Sequence, residues 1–190
     1  MSVILSAASC LDWLAKLTNA ESVGQLLQEL EADVDLAEQV EHSAVPIFLP
    51  YLTGERTPHN DPNAKGVFWG MTASTERKHL TKAVLEGVAF AFADGQQALI
   101  TSGSPIDQVS VIGGGSRSAL WGQILADVLN RPLIFRDGGD VGPALGAARL
   151  AQLAAMQAEG EITDARIADV CPAPAVSQEL VPSAAASAAY

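Results

Sequence analysis

The sequence predicts an α/β layer in which helices cover a sheet. Three observations predict it. From Val109 to Met156, short β-branched runs alternate with amphipathic patterns in the order strand, helix, strand, helix. Both strand-to-helix connections are rich in glycine, at Gly113-Gly-Gly115 and at Asp137-Gly-Gly-Asp140. And 48% of the 190 residues are hydrophobic, enough to build a core in one domain or two small ones.

The elements follow in order. Val3 to Leu5 reads as a short strand. A helix is expected over roughly Ala8 to Leu17, with Leu11, Leu14 and Ala15 on one face flanked by Trp13 and Leu17. Ser22 and Gln25 fit a capping box, and Val23, Leu26, Leu27 and Leu30 then recur at the spacing of a helix packed on one side. Glu31, Asp33, Asp35, Glu38 and Glu41 read as a solvated surface segment. Val45 to Leu49, punctuated by Pro46 and Pro50, is at best an irregular or edge strand. Residues 50 to 70 form a loop of about 20 residues, a length that is disproportionately functional.

From Glu76 to about Ile100, Leu80, Val84, Val88 and Phe92 recur every fourth residue, giving a helix of about 37 Å at ~1.5 Å per residue. Gly87 and Ala91 on its apolar side predict a close helix-to-sheet approach, and Gly103 and Pro105 end it. Val109 to Ile112 is a strand. Ser118 opens a helix with Leu120, Ile124, Leu125 and Val128 on its inner face. Leu133 to Phe135 is the next strand, and a last helix runs from about Pro143 to Met156, where Ala144, Ala147 and Ala148 permit close packing. Residues 1–160 are read as one domain. Residues 161–190, mostly Ala, Ser, Pro and Val towards the end, are expected to be an irregular, partly disordered tail.

Composition excludes several classes. The formal charge is −11 with no basic cluster, against what a nucleic acid or an anionic membrane would require. Two cysteines, Cys10 and Cys171, make neither a disulfide framework nor a thiolate metal site. No apolar stretch approaches the ~20 residues of a membrane span, and Met1 to Ala8 lack the basic lead of a signal peptide. A cytosolic location is expected.

The strongest local signal for chemistry is Gly113-Gly114-Gly115-Ser116-Arg117-Ser118 after a strand. Such glycines let backbone amides approach a ligand, and the following helix offers unpaired N–H groups to phosphate oxygens. A plain tight turn has the same letters, and both readings stand at this point. A dinucleotide fingerprint fails at Ser118, although Asp137 lies near the position its acidic residue would occupy. No Gly-Lys-Ser/Thr triplet of a P-loop occurs. Gly142 and Pro143 precede the last helix and are open to the same two readings. Asp137 and Asp140 are too few for an octahedral metal site. His42, His59 and His79 share no ligand spacing. His59 with Asp61 is a weak acid–base pair on paper, His79 reads as a surface or packing residue, and Ser6, Ser9 and Cys10 lack a nucleophile elbow.

Three segments carry a family resemblance. They are Phe48-Leu-Pro-Tyr-Leu-Thr-Gly-Glu-Arg-Thr-Pro-His-Asn60; Gly66-Val-Phe-Trp-Gly-Met71 with His79-Leu-Thr-Lys-Ala-Val-Leu-Glu86; and Ile112-Gly-Gly-Gly-Ser-Arg-Ser118 with Gly138-Gly-Asp-Val-Gly-Pro-Ala-Leu-Gly-Ala-Ala148. As a set, over residues 1 to about 155, they resemble the C-terminal part of the xylulose kinases, members of the FGGY carbohydrate kinases. That resemblance implies an actin-like, ribonuclease H-like ATPase fold, present as an incomplete C-terminal domain with part of its sheet missing. It implies ATP with Mg as co-substrate and metal, and D-xylulose as the sugar phosphorylated to D-xylulose 5-phosphate.

By resemblance, Gly113, Gly114 and Gly115 line the adenosine side of the cleft, Ser118 lies near adenine, and Gly142 faces the same cleft. No residue here matches the family's catalytic Asp base, and the Glu55–His59 loop carries no assigned role. The chain alone is therefore expected to be inactive and to bind adenine nucleotide weakly, with no metal site of its own. Its expected partner is an N-terminal half or a second copy meeting an open strand edge. The alternatives are a non-catalytic nucleotide-binding module and an oligomerisation module.

Overall fold

A computed structural model, describing residues 1–38, 44–138 and 142–190, divides the chain into a helical layer and two small sheets. The helical layer opens with α1 (Ser9–Leu17), α2 (Val23–Glu31) and the short α3 (Val34–Glu38). A ribbon of β1 (Ile47–Leu49) and β2 (Val67–Trp69) follows, then the long α4 (Arg77–Thr101). The second half runs β3 (Val109–Val111), a 3-10 turn (Gly114–Arg117), α5 (Ala119–Leu129), β4 (Leu133–Arg136), α6 (Gly142–Glu159), α7 (Asp164–Val170), β5 (Val176–Leu180) and α8 (Ala184–Ala189). β1 and β2 pair antiparallel; in the other sheet β4 lies between a parallel β3 and an antiparallel β5. The expected α/β class is what the chain adopts. No helix among the described residues is long and apolar enough to cross a membrane.

α4 is the element on which the others pack, and its buried face carries Val84, Leu85, Val88 and Ala89. The predicted close approach occurs at Gly87, where any Cβ would collide with the Phe48 carbonyl oxygen of β1. Phe48 packs between Trp13, with centroids 5.9 Å apart, and Phe68, at 4.5 Å, so that ribbon, α1 and α4 share one core. On the other flank the Trp121 indole N–H donates to the Leu85 carbonyl oxygen at 3.1 Å, fixing α5 to α4.

Helix starts follow the capping chemistry. Ser22 Oγ accepts from the Gln25 N–H, and Gln25 Oε1 reaches back to the Glu21 N–H, one residue earlier than a strict box requires. At α4 the Glu76 N–H donates to His79 Nδ1 at 2.9 Å, so His79 is a buried capping residue.

A buried polar chain crosses this layer. Lys82, fully enclosed, donates from Nζ to the Leu36 carbonyl oxygen at 2.6 Å and lies 3.7 Å from Glu86 Oε1. The Tyr190 hydroxyl donates to the same carboxylate oxygen at 3.1 Å, and its ring meets Phe90 edge-on. Burial lowers the Lys82 pKa and raises that of Glu86, in each case against the attraction of the other charge. Burial, then the Glu86 charge, raises Tyr190.

Several expectations need correction. Val3–Leu5 is not a strand: its backbone bonds a loop, through Val3 N–H to Thr57 Oγ1, Thr57 N–H to Val3 O and Leu5 N–H to Glu55 Oε1. The 50–70 loop ends early, because Val67–Trp69 pairs with Ile47–Leu49. The tail at 161–190 is regular over α7, β5 and α8. Thr163 and Ser183 supply N-caps, β5 adds to β4, and Asp127 Oδ1 accepts from the Ser183 N–H at 2.7 Å. α6 packs mainly on α7, and Ala144, Ala147 and Ala148 stay exposed instead of packing closely. His42, Glu41 and Asp140 lie outside the described residues.

Two outcomes test this packing. Cys10 is buried, and enclosure followed by the Glu55 charge pushes its thiol up to about 11 from 9.0, whereas Cys171 is half-exposed. A thiol reagent at pH 8 is expected to titrate one cysteine in the native protein and both in denaturant. Because the folded pKa is the higher, stability falls as pH rises from 9.0 towards about 11, and Cys10→Ala removes that slope in urea titrations. Separately, Glu86→Ala is expected to lower stability, because it removes the carboxylate 3.7 Å from the buried Lys82 Nζ. The double variant Lys82→Met/Glu86→Leu is expected to lose far less than the sum of the single changes, measured by the same titrations.

Candidate functional site

The site is built where β3 hands over to α5. Gly113 has φ +88° and ψ −173°, a backbone region that only glycine occupies at little cost. The next four residues form the 3-10 turn, and Ser118 caps α5 by accepting the Trp121 N–H on Oγ at 3.2 Å. A Cβ on Gly115 would stand 3.0 Å from the Trp121 ring, so the turn lies flat against the indole. At Gly114 a Cβ would meet nothing, which leaves the main chain open on that side.

Opposite this turn stand α1 and α2, and between them is a groove of about 470 Å³, within the ~300–1,000 Å³ typical of small-molecule sites. Leu11, Val23, Leu27 and Trp121 give it apolar walls, and Gly114, Gly115 and Ser118 form one side. Asp12 and Arg117 contribute one charge of each sign, and neither takes part in an ion pair among the described residues. Chemically, such a groove accepts a flat apolar ring between its walls and presents main-chain groups and a guanidinium to polar substituents. Among the described residues no group of three or more His, Cys, Asp or Glu could hold a metal ion.

Of the five residues expected to face one cleft, the structure brings Gly114, Gly115 and Ser118 together. Gly113 starts the turn without lining the groove. Gly142 opens α6, which packs mainly on α7. The Ser118 hydroxyl is committed as acceptor to the helix cap and retains its proton for donation.

The other candidates fall into structural roles. His59 Nε2 lies 2.9 Å from the Tyr51 hydroxyl, while the Asp61 carboxylate accepts from the Asn63 N–H, so the pair suggested by the sequence is not formed. Burial, then Asp94 and Glu55, raises the Tyr51 pKa. Ser6 Oγ meets Thr53 Oγ1 at 3.1 Å, and the Cys10 thiol points to the Ser6 carbonyl oxygen. Glu55 is the informative residue of its loop. Fully buried, it accepts from the Leu5 and Arg56 N–H groups at 3.1 and 2.7 Å, and so holds the segment that leads into α1. The loop therefore positions one wall of the groove.

Sequence reasoning missed that wall altogether. Asp12, Val23, Gly24 and Leu27 read as ordinary helix positions, and nothing in their spacing connects them with residues some 90 further on. Trp121 carried a usable signal, an indole one turn into a helix opened by a glycine run.

Known proteins resemble this chain throughout its length. Residues 2–155 match the FGGY family of carbohydrate kinases, C-terminal domain. The xylulose kinase of Escherichia coli K12 is 49% identical over 191 residues, covering 100% of this chain and 37% of that protein. That of Klebsiella pneumoniae is 52% identical over 155 residues, covering 81% of this chain and 30% of its own length. The crystal structure of a xylulose kinase from Brucella ovis superposes with a TM-score of 0.82 at 40% identity, covering 100% of this chain and 36% of that one. The chain thus spans about a third of the length of these relatives. It belongs to the FGGY family of carbohydrate kinases and corresponds to the C-terminal domain of that family.

Proposed function

We propose that the chain supplies the adenosine side of the cleft in an ATP-dependent kinase that converts D-xylulose to D-xylulose 5-phosphate, and that residues 1–190 alone do not catalyse the transfer. The observation that carries this reading is the groove itself. It joins the open main chain at Gly114, the ring-backed Gly115 and the capped Ser118 to apolar walls from α1 and α2. The names of the relatives supply the sugar and the reaction.

The residues present fit the nucleoside end of ATP and not its metal. Leu11, Leu27 and Trp121 give a purine two apolar faces, whereas no cluster of carboxylates among the described residues suits Mg. When bound, Mg-ATP supplies the phosphoryl group and the charge neutralisation for its transfer. This chain's residues hold and orient the nucleoside. In-line transfer needs groups placed on both sides of the phosphates, and the groove offers one side.

A place for the other side would be the open edge of β3, which among the described residues pairs with β4 alone. Two apolar grooves of about 230 and 220 Å³ lie against β3 and share Phe92, Val109 and Leu129. Ser2 Oγ and Gln96 Oε1, which border the first groove, are buried without a partner among the described residues. A strand from the part of the relatives that this chain does not span would pair with β3 and cover these groups.

Two measurements test the reading. Purified chain with ATP, Mg and D-xylulose is expected to show no turnover, and a rate near the ~1–100 s⁻¹ of complete kinases would overturn the proposal. Calorimetry is expected to give millimolar affinity for ADP, weakened at least about fivefold by Gly114→Val, which extends a branched side chain into the open face. Equal affinity in this variant, at unchanged circular dichroism, would move the nucleotide elsewhere.

A further inference from the structure

The helix that follows the glycine turn is held from two sides. On the inner side α5 is tied to α4: the Trp121 indole N–H donates to the Leu85 carbonyl oxygen, and Gln96 Nε2 donates to the Leu129 carbonyl oxygen at 3.0 Å. The outer side is closed by the tail, residues 176–190. Asp127, buried, gathers it. Its Oδ1 accepts from the Ser183 N–H at 2.7 Å and from Gln123 Nε2 at 2.9 Å, and the same Gln123 nitrogen donates to the Val181 carbonyl oxygen at 3.1 Å. Towards the groove, Leu180 of β5 lies on the bare main chain of Gly122, where a Cβ would stand 2.7 Å from the leucine. The residue before Gly122 is Trp121, whose ring backs Gly115 in the groove.

We propose that the tail is a clasp that sets the position of α5 and, through it, the affinity of the groove, with Asp127 as its positioning residue. The effect on affinity rests on the nucleotide reading above; the clasp itself does not. The tail lies outside residues 2–155, the stretch that corresponds to the family domain, so the control it exerts is added to that domain from beyond it.

Two properties make the tail a clasp. It is lightly attached: β5 is an edge strand with four of its five residues exposed, and α8 contains no buried residue. Segments that bury so little open at a lower free energy than the whole protein unfolds. It is also placed to act on the turn, because Leu180, Gly122, Trp121 and Gly115 form one continuous line of close packing, which transmits displacement. When the tail opens, Asp127 loses the Ser183 donor, Gly122 loses its cover, and the outer flank of α5 is unsupported. A nucleotide between Trp121 and the α1–α2 wall needs those surfaces at a fixed spacing. It therefore binds the closed tail better than the open one, and by linkage its binding closes the tail.

Amide hydrogen exchange of the full chain without nucleotide tests the clasp, and calorimetry with ADP tests its effect. Asp127→Ala is expected to speed exchange about fivefold at residues 114–121 and 176–190, with α1, α2 and the circular dichroism unchanged, and to weaken ADP about fivefold. Asp127→Asn keeps a side-chain oxygen as acceptor and is expected to restore both. Gln123→Met removes the bond to Val181 and spares the one between Asp127 and Ser183. It is expected to act in the same direction to a smaller extent, and it decides the matter should Asp127→Ala not fold. Saturating ADP is expected to slow exchange at the Ser183 N–H. Exchange at 114–121 that stays at the level of the unmodified chain in both Asp127→Ala and Gln123→Met would overturn the inference. So would a rise spread equally over α1 and α2, which marks general loosening, or an Asp127→Asn variant that behaves as Asp127→Ala does. If the unmodified chain binds no ADP, the nucleotide reading falls, and exchange at 114–121 alone still decides the clasp.

Discussion

The missing side chain at Gly87 is the constraint from which the helical layer follows. With no Cβ there, the Phe48 carbonyl comes down onto α4, and the ribbon lies against the helix instead of riding above it. Phe48 then reaches Trp13, which seats α1, and the loop beyond the ribbon brings Glu55 under the residues that enter α1. On the far flank, Trp121 is tied to the Leu85 carbonyl two residues before Gly87, which seats α5 and the glycine turn. The two walls of the groove are contributed by segments a hundred residues apart, yet both are referenced to one short stretch of one helix. That is why a groove of defined width can form between elements that scarcely touch each other.

The parts of the fold that could be read from the sequence are those with a long period or a strong local stop. α4 shows its face at Leu80, Val84 and Val88, and ends where Gly103 takes a left-handed conformation. Ser22 and Ser118 mark helix starts because a hydroxyl there satisfies an otherwise unpaired N–H. Short elements fared worse for the same physical reason. Val67–Trp69 is three residues long, flanked by Gly66 and Gly70, and is a strand only because Ile47–Leu49 lies beside it. Val3–Leu5 has strand letters, but its hydrogen bonds go to side chains of a loop some fifty residues later. In the tail, Ala and Ser offer no periodicity. Its order comes from caps at Thr163 and Ser183 and from pairing with β4, none of which an apolar pattern records.

The site divides along the same line. The glycine run states its backbone requirement in one-letter code, since φ +88° at Gly113 excludes most other residues, and the turn was legible for that reason. What the turn faces was not legible. Leu11, Val23 and Leu27 are apolar helix positions whose role depends on how far α1 and α2 stand from α5, a tertiary distance.

The bond between Tyr190 and Glu86 joins residues 104 apart in the chain. On a ribosome adding roughly 5–20 residues each second, Glu86 and Lys82 emerge about 5–20 seconds before the tyrosine that completes their enclosure. During that interval the nascent protein holds a largely enclosed carboxylate without its hydroxyl donor. A chain cut before Tyr190 lacks that donor and leaves the carboxylate to Lys82.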